Sequence, residues 1–246
     1  MTVECRNATK RYTLGTHRIC PPEDTLDHVR PMLADMGITR IANVTGLDRI
    51  GLPVVMVVRP NSRSCAVAQG KGLTLAAAKA SGVMEAAELW HAENVMKPLK
   101  FASFDEMRRE HCVADPDMLP RARDGFRPTL RLTWIEGQDL MGGGPVWVPF
   151  ELVNVDCTVS EHPGGARCFQ ASTNGLASGN HRLEAICHGL CEVIERDAST
   201  LWVLSADAHG RRAIDPASIT DPACRRLLDQ LATADLAVHI LSLIHI

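Results

Sequence analysis

Two stretches of this chain combine an apolar, alanine-rich helical pattern with carboxylates at helical spacing, and that pairing narrows what the chain can fold into. The first, KGLTLAAAKASGVMEAAELWHAE, predicts a helix over about residues 73–94 and carries Glu85 and Glu88. Ser81 lies one turn before Glu85, so the three form one stripe. Most of its remaining positions, among them Leu75, Ala80, Val83, Met84, Ala87 and Trp90, are apolar nearly all round, which predicts packing on more than one side. The second, HRLEAICHGLCEVIERDA, predicts a helix over about 181–203 with Glu184, Glu192 and Glu195, and His188 recurs between the first two. A Glu-x-x-Glu step puts like charges on one face and is mildly destabilising unless a cation lies between them. One such stripe reads most simply as a solvated face, and His188 alone as a packing histidine. Two stripes in one chain suggest a magnesium site, and magnesium usually arrives with a nucleotide.

Composition removes several other classes. The 246 residues suit one large domain or two small ones, and 46% apolar with 22% charged residues is ordinary for a globular chain. A net charge of −3 leaves no basic surplus for nucleic acid, and 4% aromatics leaves little for base stacking. The polar opening MTVECRNATKRYTLG does not read as a secretory signal, and no apolar run approaches a membrane span, so the expectation is a cytoplasmic protein with no membrane partner. Nine cysteines without a C-x-x-C step read as reduced thiols. Cys187, His188 and Cys191 lie close on the second helix, but the other ligands of a tetrahedral site are not apparent.

Along the chain, residues 21–37 predict a helix opened by proline and acids, and 40–60 two short strands with LDRIG between them. Residues 62–70 predict a strand that runs into Gly70-Lys71-Gly72 and the first acidic helix. A glycine-rich strand-to-helix turn with a lysine suits phosphate, although it is not a Walker A loop. A shorter helix is expected at FDEMRREHC. The Pro-, Asp- and Arg-rich 114–128 is the best internal boundary, and LRLTWIEGQDL and PVWVPFELV predict strands joined through MGGG. The polar SEHPGGARCFQ leads to Ser172-Thr173-Asn174-Gly175 and Ser178-Gly179-Asn180, small turn-forming residues ahead of the second acidic helix. A helix over 216–233 and a strand from about 235 complete the reading. The fold class is α/β, or mixed α+β, without repeats.

At these residues the chain resembles the YcaO family. The resemblance is carried by GTHRICPPEDTL, ITRIANVTGLDRIGLPV, AVAQGKGLTLAAAKASGVMEAAE and ASTNGLASGNHRLEAICHGLCEVIERDA, and it covers nearly the whole chain. It implies a YcaO-type nucleotide-binding fold and an enzyme that uses ATP and Mg2+ to activate a peptide backbone amide. A nucleophile adds to the carbonyl, the resulting oxyanion is phosphorylated, and phosphate then leaves to give an azoline, a thioamide or an amidine. The resemblance assigns metal coordination to Glu85, Glu88, Glu184, Glu192 and Glu195. It assigns ATP binding to Ser81, Ser172, Asn174 and Arg196, with Lys10 and Arg18 as further phosphate contacts, and it names no other catalytic residue.

The GTHR start and the LDRIG-P segment are most similar to YcaO proteins that work beside a TfuA-type partner in thioamide formation. Such a protein acts on a peptide or protein substrate, with a TfuA-like or E1-like partner, and a homodimer is expected. The alternative is a non-catalytic YcaO scaffold or accessory protein, for example in ribosomal protein methylthiolation. Family domains continue through further strands and basic residues, so residues 1–240 read as an incomplete YcaO domain, truncated at the C-terminus. Residues 241–246, LSLIHI, match the translation of a transposase end sequence used as a sequencing adaptor, and we expect them to be an artefact of that origin.

Overall fold

A computed structural model of the chain describes residues 8–158, 167–204 and 213–242. Residues 243–246 of the terminal six lie outside the described residues, as do 160–166 of the polar segment. The chain forms two compact units, one of residues 1–61, 65–88 and 174–246, the other of 62–64 and 89–173. The architecture is mixed, helices with antiparallel sheets, as the sequence predicts. No helix among the described residues is long and apolar enough to cross a membrane.

In the first unit, strands β1 (Arg40–Asn43), β2 (Val54–Val58) and β3 (Val67–Lys71) form an antiparallel sheet in that order. β2 reads VVMVV, and its alternate residues Val55 and Val57 are fully buried beside Ala68 of β3. That face meets helix α2 (Leu75–Glu93), whose Ala78, Val83 and Ala86 are also fully buried. The contact is made by two glycines. A Cβ on Gly70 would fall 1.9 Å from the Ala78 carbonyl oxygen, and one on Gly82 would fall 3.0 Å from the Gly70 nitrogen. Gly70 is therefore required by close strand-to-helix packing, a demand that its place in a phosphate-type turn did not reveal. Thr74 caps the helix, its Oγ1 accepting from the Ala77 N–H at 3.1 Å.

Helix α1 spans Pro22–Val29, with Glu23 and Asp24 in its first turn. Pro31 lacks the donor needed to continue it, and the chain tightens into a 3-10 turn at Arg30–Met32 rather than running to residue 37. Near the C-terminus, β7 (Ala213–Ile214) pairs with β8 (Ile240–Leu241), and helix α5 (Pro222–Thr233) lies between them in sequence. Asp221 caps α5 through the Cys224 N–H, so the helix starts there; a separate 3-10 turn, Pro216–Ser218, fills the segment before it.

The second unit holds an antiparallel sheet of β4 (Leu99–Ser103), β5 (Arg131–Gln138) and β6 (Pro145–Pro149). Helix α3 (Phe104–Glu110) starts at a capping box between Ser103 and Glu106. Leu132, Trp134, Met107, Trp147 and Phe169 form the core, and the Trp134 indole N–H donates to the Ala102 carbonyl at 2.8 Å. The boundary expected at 114–128 is not one, because that loop lies wholly within this unit. It is pinned by a bridge from Arg121 to Phe169, by Ala114 N–H to the Trp147 carbonyl, and by the Arg121 guanidinium over the Phe126 ring.

Candidate functional site

Helix α4 (Arg182–Leu204) is the second acidic helix, and the loop 174–180 lies against it. The fit again depends on glycine: a Cβ on Gly189 would stand 2.6 Å from the Gly175 carbonyl oxygen. Glu192 holds the loop through Oε2, which accepts from the Gly175 N–H at 2.8 Å. Its Oε1 pairs with Arg196 Nη2 at 2.9 Å, while Arg196 Nη1 donates to Asn174 Oδ1 at 2.7 Å. Further along the same loop, the Ser178 N–H and Oγ both donate to Glu88 Oε1 of α2, at 2.7 Å each. One short loop is thus bonded to both acidic helices.

The N-terminal segment completes this cluster. Tyr12 and Arg18 pair as an isolated antiparallel bridge around the turn that holds Gly15. The Ile19 N–H donates to Glu184 Oε2 at 2.7 Å, the Asn180 N–H donates to its Oε1 at 3.3 Å, and Arg18 Nη1 lies 3.6 Å away. Glu184 is buried, at 4% exposure, and its charge is compensated on three sides. Asn180 also donates to Thr25 Oγ1 of α1 at 3.0 Å. Lys10 Nζ reaches Cys187 Sγ at 3.6 Å.

The predicted residues therefore fall into distinct groups. Glu184 and Glu192 use both carboxylate oxygens to hold backbone and arginine. Glu88 uses one oxygen and keeps the other. Glu85 and Ser81 lie at exposed positions of α2, and Glu195 is exposed on α4. Ser172 belongs to the second unit. Ser178 and the Ile19 N–H had no assigned role in the sequence reading. Ser178 appeared there as a turn former, and a backbone donor leaves no sequence signal.

Glu85 carries the electrostatic signature of the site. Its carboxyl is raised above its ordinary value of 4.5, first by desolvation and then by the charge of Glu88, against lowering by the Gln69 backbone bond and by Lys71. Its position is exposed, yet enough protein surrounds it to desolvate the charge. Among the described residues, no three His, Cys, Asp or Glu side chains group closely enough to hold a metal by themselves. Magnesium, however, is commonly held by one or two carboxylates together with phosphate oxygens. A crowded Glu85–Glu88 pair with hard oxygen donors fits that chemistry, and Arg196 supplies a phosphate-type donor on the other helix.

A family profile described as the ATP- and Mg2+-binding YcaO cyclodehydratase matches residues 69–245. The chain belongs to the YcaO family. This YcaO chain is 38% identical, over 92% of its length and 53% of the relative's, to an uncharacterized protein in the tfuA 3' region of Rhizobium leguminosarum bv. trifolii. It is 41% identical to an uncharacterized protein of Methanothermobacter thermautotrophicus, over 74% of this chain and 46% of that one. Among solved structures, YcaO from Methanopyrus kandleri bound with AMPPCP and Mg2+ aligns at 27% identity with a TM-score of 0.61, covering 79% of this chain and 48% of that one. A heterocyclase in complex with substrate and cofactor shares the fold at a TM-score of 0.79 and 20% identity, over 99% of this chain and 36% of that one. The chain spans about half the length of the curated relatives it matches.

Proposed function

We propose that this YcaO chain carries the nucleotide site of an enzyme that uses ATP and Mg2+ to activate a peptide backbone amide for thioamide or azoline formation. The observation that supports this best is the 174–180 loop, bonded to Glu88 of α2 and to Glu192 of α4, which joins the two acidic helices into one surface. Glu85 and the open oxygen of Glu88 would hold the magnesium, and Glu195 stands exposed on the same helix as Arg196. Magnesium there would neutralise charge on the nucleotide phosphates. Arg196, fixed by Asn174 and Glu192, would present its remaining N–H groups to a phosphate, with Arg18 beside Glu184, Lys10 beside Cys187 and Ser81 one turn before Glu85 as further contacts. Activation of the amide consists of nucleophile addition at the carbonyl carbon, transfer of the γ-phosphoryl group of ATP to the oxyanion with release of ADP, and departure of phosphate as the C–O bond breaks. An amide oxygen is a poor leaving group, and phosphorylation is what makes it leave.

The test combines the protein with ATP, magnesium, a sulfide source, a TfuA-type partner and candidate peptides, read by mass spectrometry. A mass gain equal to exchanging oxygen for sulfur supports thioamide formation, and loss of one water supports azoline formation. The tfuA-region relative favours the sulfur branch. Glu85→Gln is expected to lower ATP turnover at least about tenfold; undiminished turnover overturns the metal role.

A further inference from the structure

A further groove lies in the first unit, lined by no residue of the acidic helices. The turn 47–51 and helix α5 enclose an open groove of about 530 Å³, lined by Arg49, Ile50, Pro222, Arg225, Arg226 and Gln230. The turn is built to present Arg49: the Asp48 carboxylate accepts the Ile50 N–H at 2.8 Å and the Gly51 N–H at 3.4 Å, and Arg49 Nη2 donates to the Asp235 carbonyl at 3.4 Å. Arg225 Nη1 donates to the Pro216 carbonyl at 3.0 Å, and its Nη2 lies 3.8 Å from Asp229. Arg226 is exposed and makes no ion pair among the described residues. Three guanidinium groups thus share the groove with one aspartate, Asp229, in a chain whose net charge is −3.

The remaining lining says more about the occupant. Ile50 and Pro222 add apolar surface. An inorganic anion satisfies the arginines but offers no carbon for Ile50 and Pro222. A peptide segment bearing Asp or Glu supplies both: carboxylates for the guanidinium forks and aliphatic stems for the apolar residues.

We propose that the groove between the 47–51 turn and α5 docks an acidic peptide segment of a partner protein, with Arg49 and Arg226 gripping its carboxylates and Ile50 and Pro222 packing against its aliphatic stems. Binding here needs no turnover, so its failure and the failure of the amide-activation reading are separable.

The test is fluorescence anisotropy of the whole chain with a short fluorescein-labelled peptide alternating Glu and Gly. The same peptide with Gln for Glu, inorganic phosphate, and a single-stranded oligothymidylate of equal charge serve as comparisons. The Glu peptide is expected to bind, the Gln peptide to bind at least about tenfold more weakly, and Arg226→Glu to weaken the Glu peptide by a similar factor, about the loss of one charge-assisted contact. Lys97→Glu makes the same charge change in the other unit and is expected to leave binding intact. Equal affinity for the Gln peptide, tighter binding of oligothymidylate, complete displacement by phosphate at stoichiometric concentration, or an undiminished Arg226→Glu variant overturns the proposal. If Arg226→Glu loses its circular dichroism signature, Arg49→Gln carries the same expectation.

Discussion

Glu184 and Glu85 are both glutamates on acidic helices, yet their surroundings give them opposite roles. Glu184 is buried and accepts two backbone N–H groups with Arg18 nearby. Removing it leaves the Ile19 N–H without a partner, so Glu184→Ala is expected to cost about 2–3 kcal/mol in urea unfolding, whereas Glu195→Ala, at an exposed position, stays within about 0.5 kcal/mol. For Glu85, desolvation and the charge of Glu88 outweigh the Gln69 backbone bond and Lys71, and its raised carboxyl reverses the usual acid dependence. The folded chain binds the proton more readily than the unfolded one, so this residue favours folding below its ordinary value of 4.5 and loses that contribution as pH rises through its elevated folded value. Without nucleotide and magnesium, Glu85→Gln is therefore expected to raise the melting temperature at neutral pH, with the gain shrinking on acidification. An equal gain at every pH sinks the argument.

At the scale of elements, the close approach of β3 and α2 depends on a missing side chain. Gly70→Ala forces a Cβ into the Ala78 carbonyl and is expected to destabilise the first unit by about 1–3 kcal/mol or more, measured by thermal or denaturant unfolding. Both acidic helices were legible in the sequence because a 3.6-residue period survives in a linear string. β2 was legible because a valine run bounded by proline has few other readings. β4 was missed because its first three residues are exposed and give no alternation. Gly70 was legible as special but not as packing, since the atom it avoids belongs to another element. The same limit hid the Ile19 contact, which joins residues 165 positions apart. The 114–128 segment has the composition of a linker, but backbone bridges to Trp147 and Phe169 make it part of the second unit.

At the scale of the whole molecule, the chain leaves apolar surface open on α4. Leu190, Val193 and Ile194 are 56%, 45% and 57% exposed, although a helix with this pattern is expected to bury them. Exposed apolar surface of this kind promotes association. Leu190→Lys combined with Ile194→Lys is expected to reduce self-association of the chain in sedimentation and to lower its uptake of an apolar dye; unchanged values would assign the association to another face. The same helix also bears on how ligands communicate. Ser178 is bound to Glu88 on α2, while Gly175 and Asn174 are bound to Glu192 and Arg196 on α4. A cation on the second Glu88 oxygen would share one carboxylate with Ser178, so loop placement and ion affinity would be linked by one free energy. Whatever shifts the loop on α4 would then be felt by an ion held on α2, and the reverse would hold to the same degree.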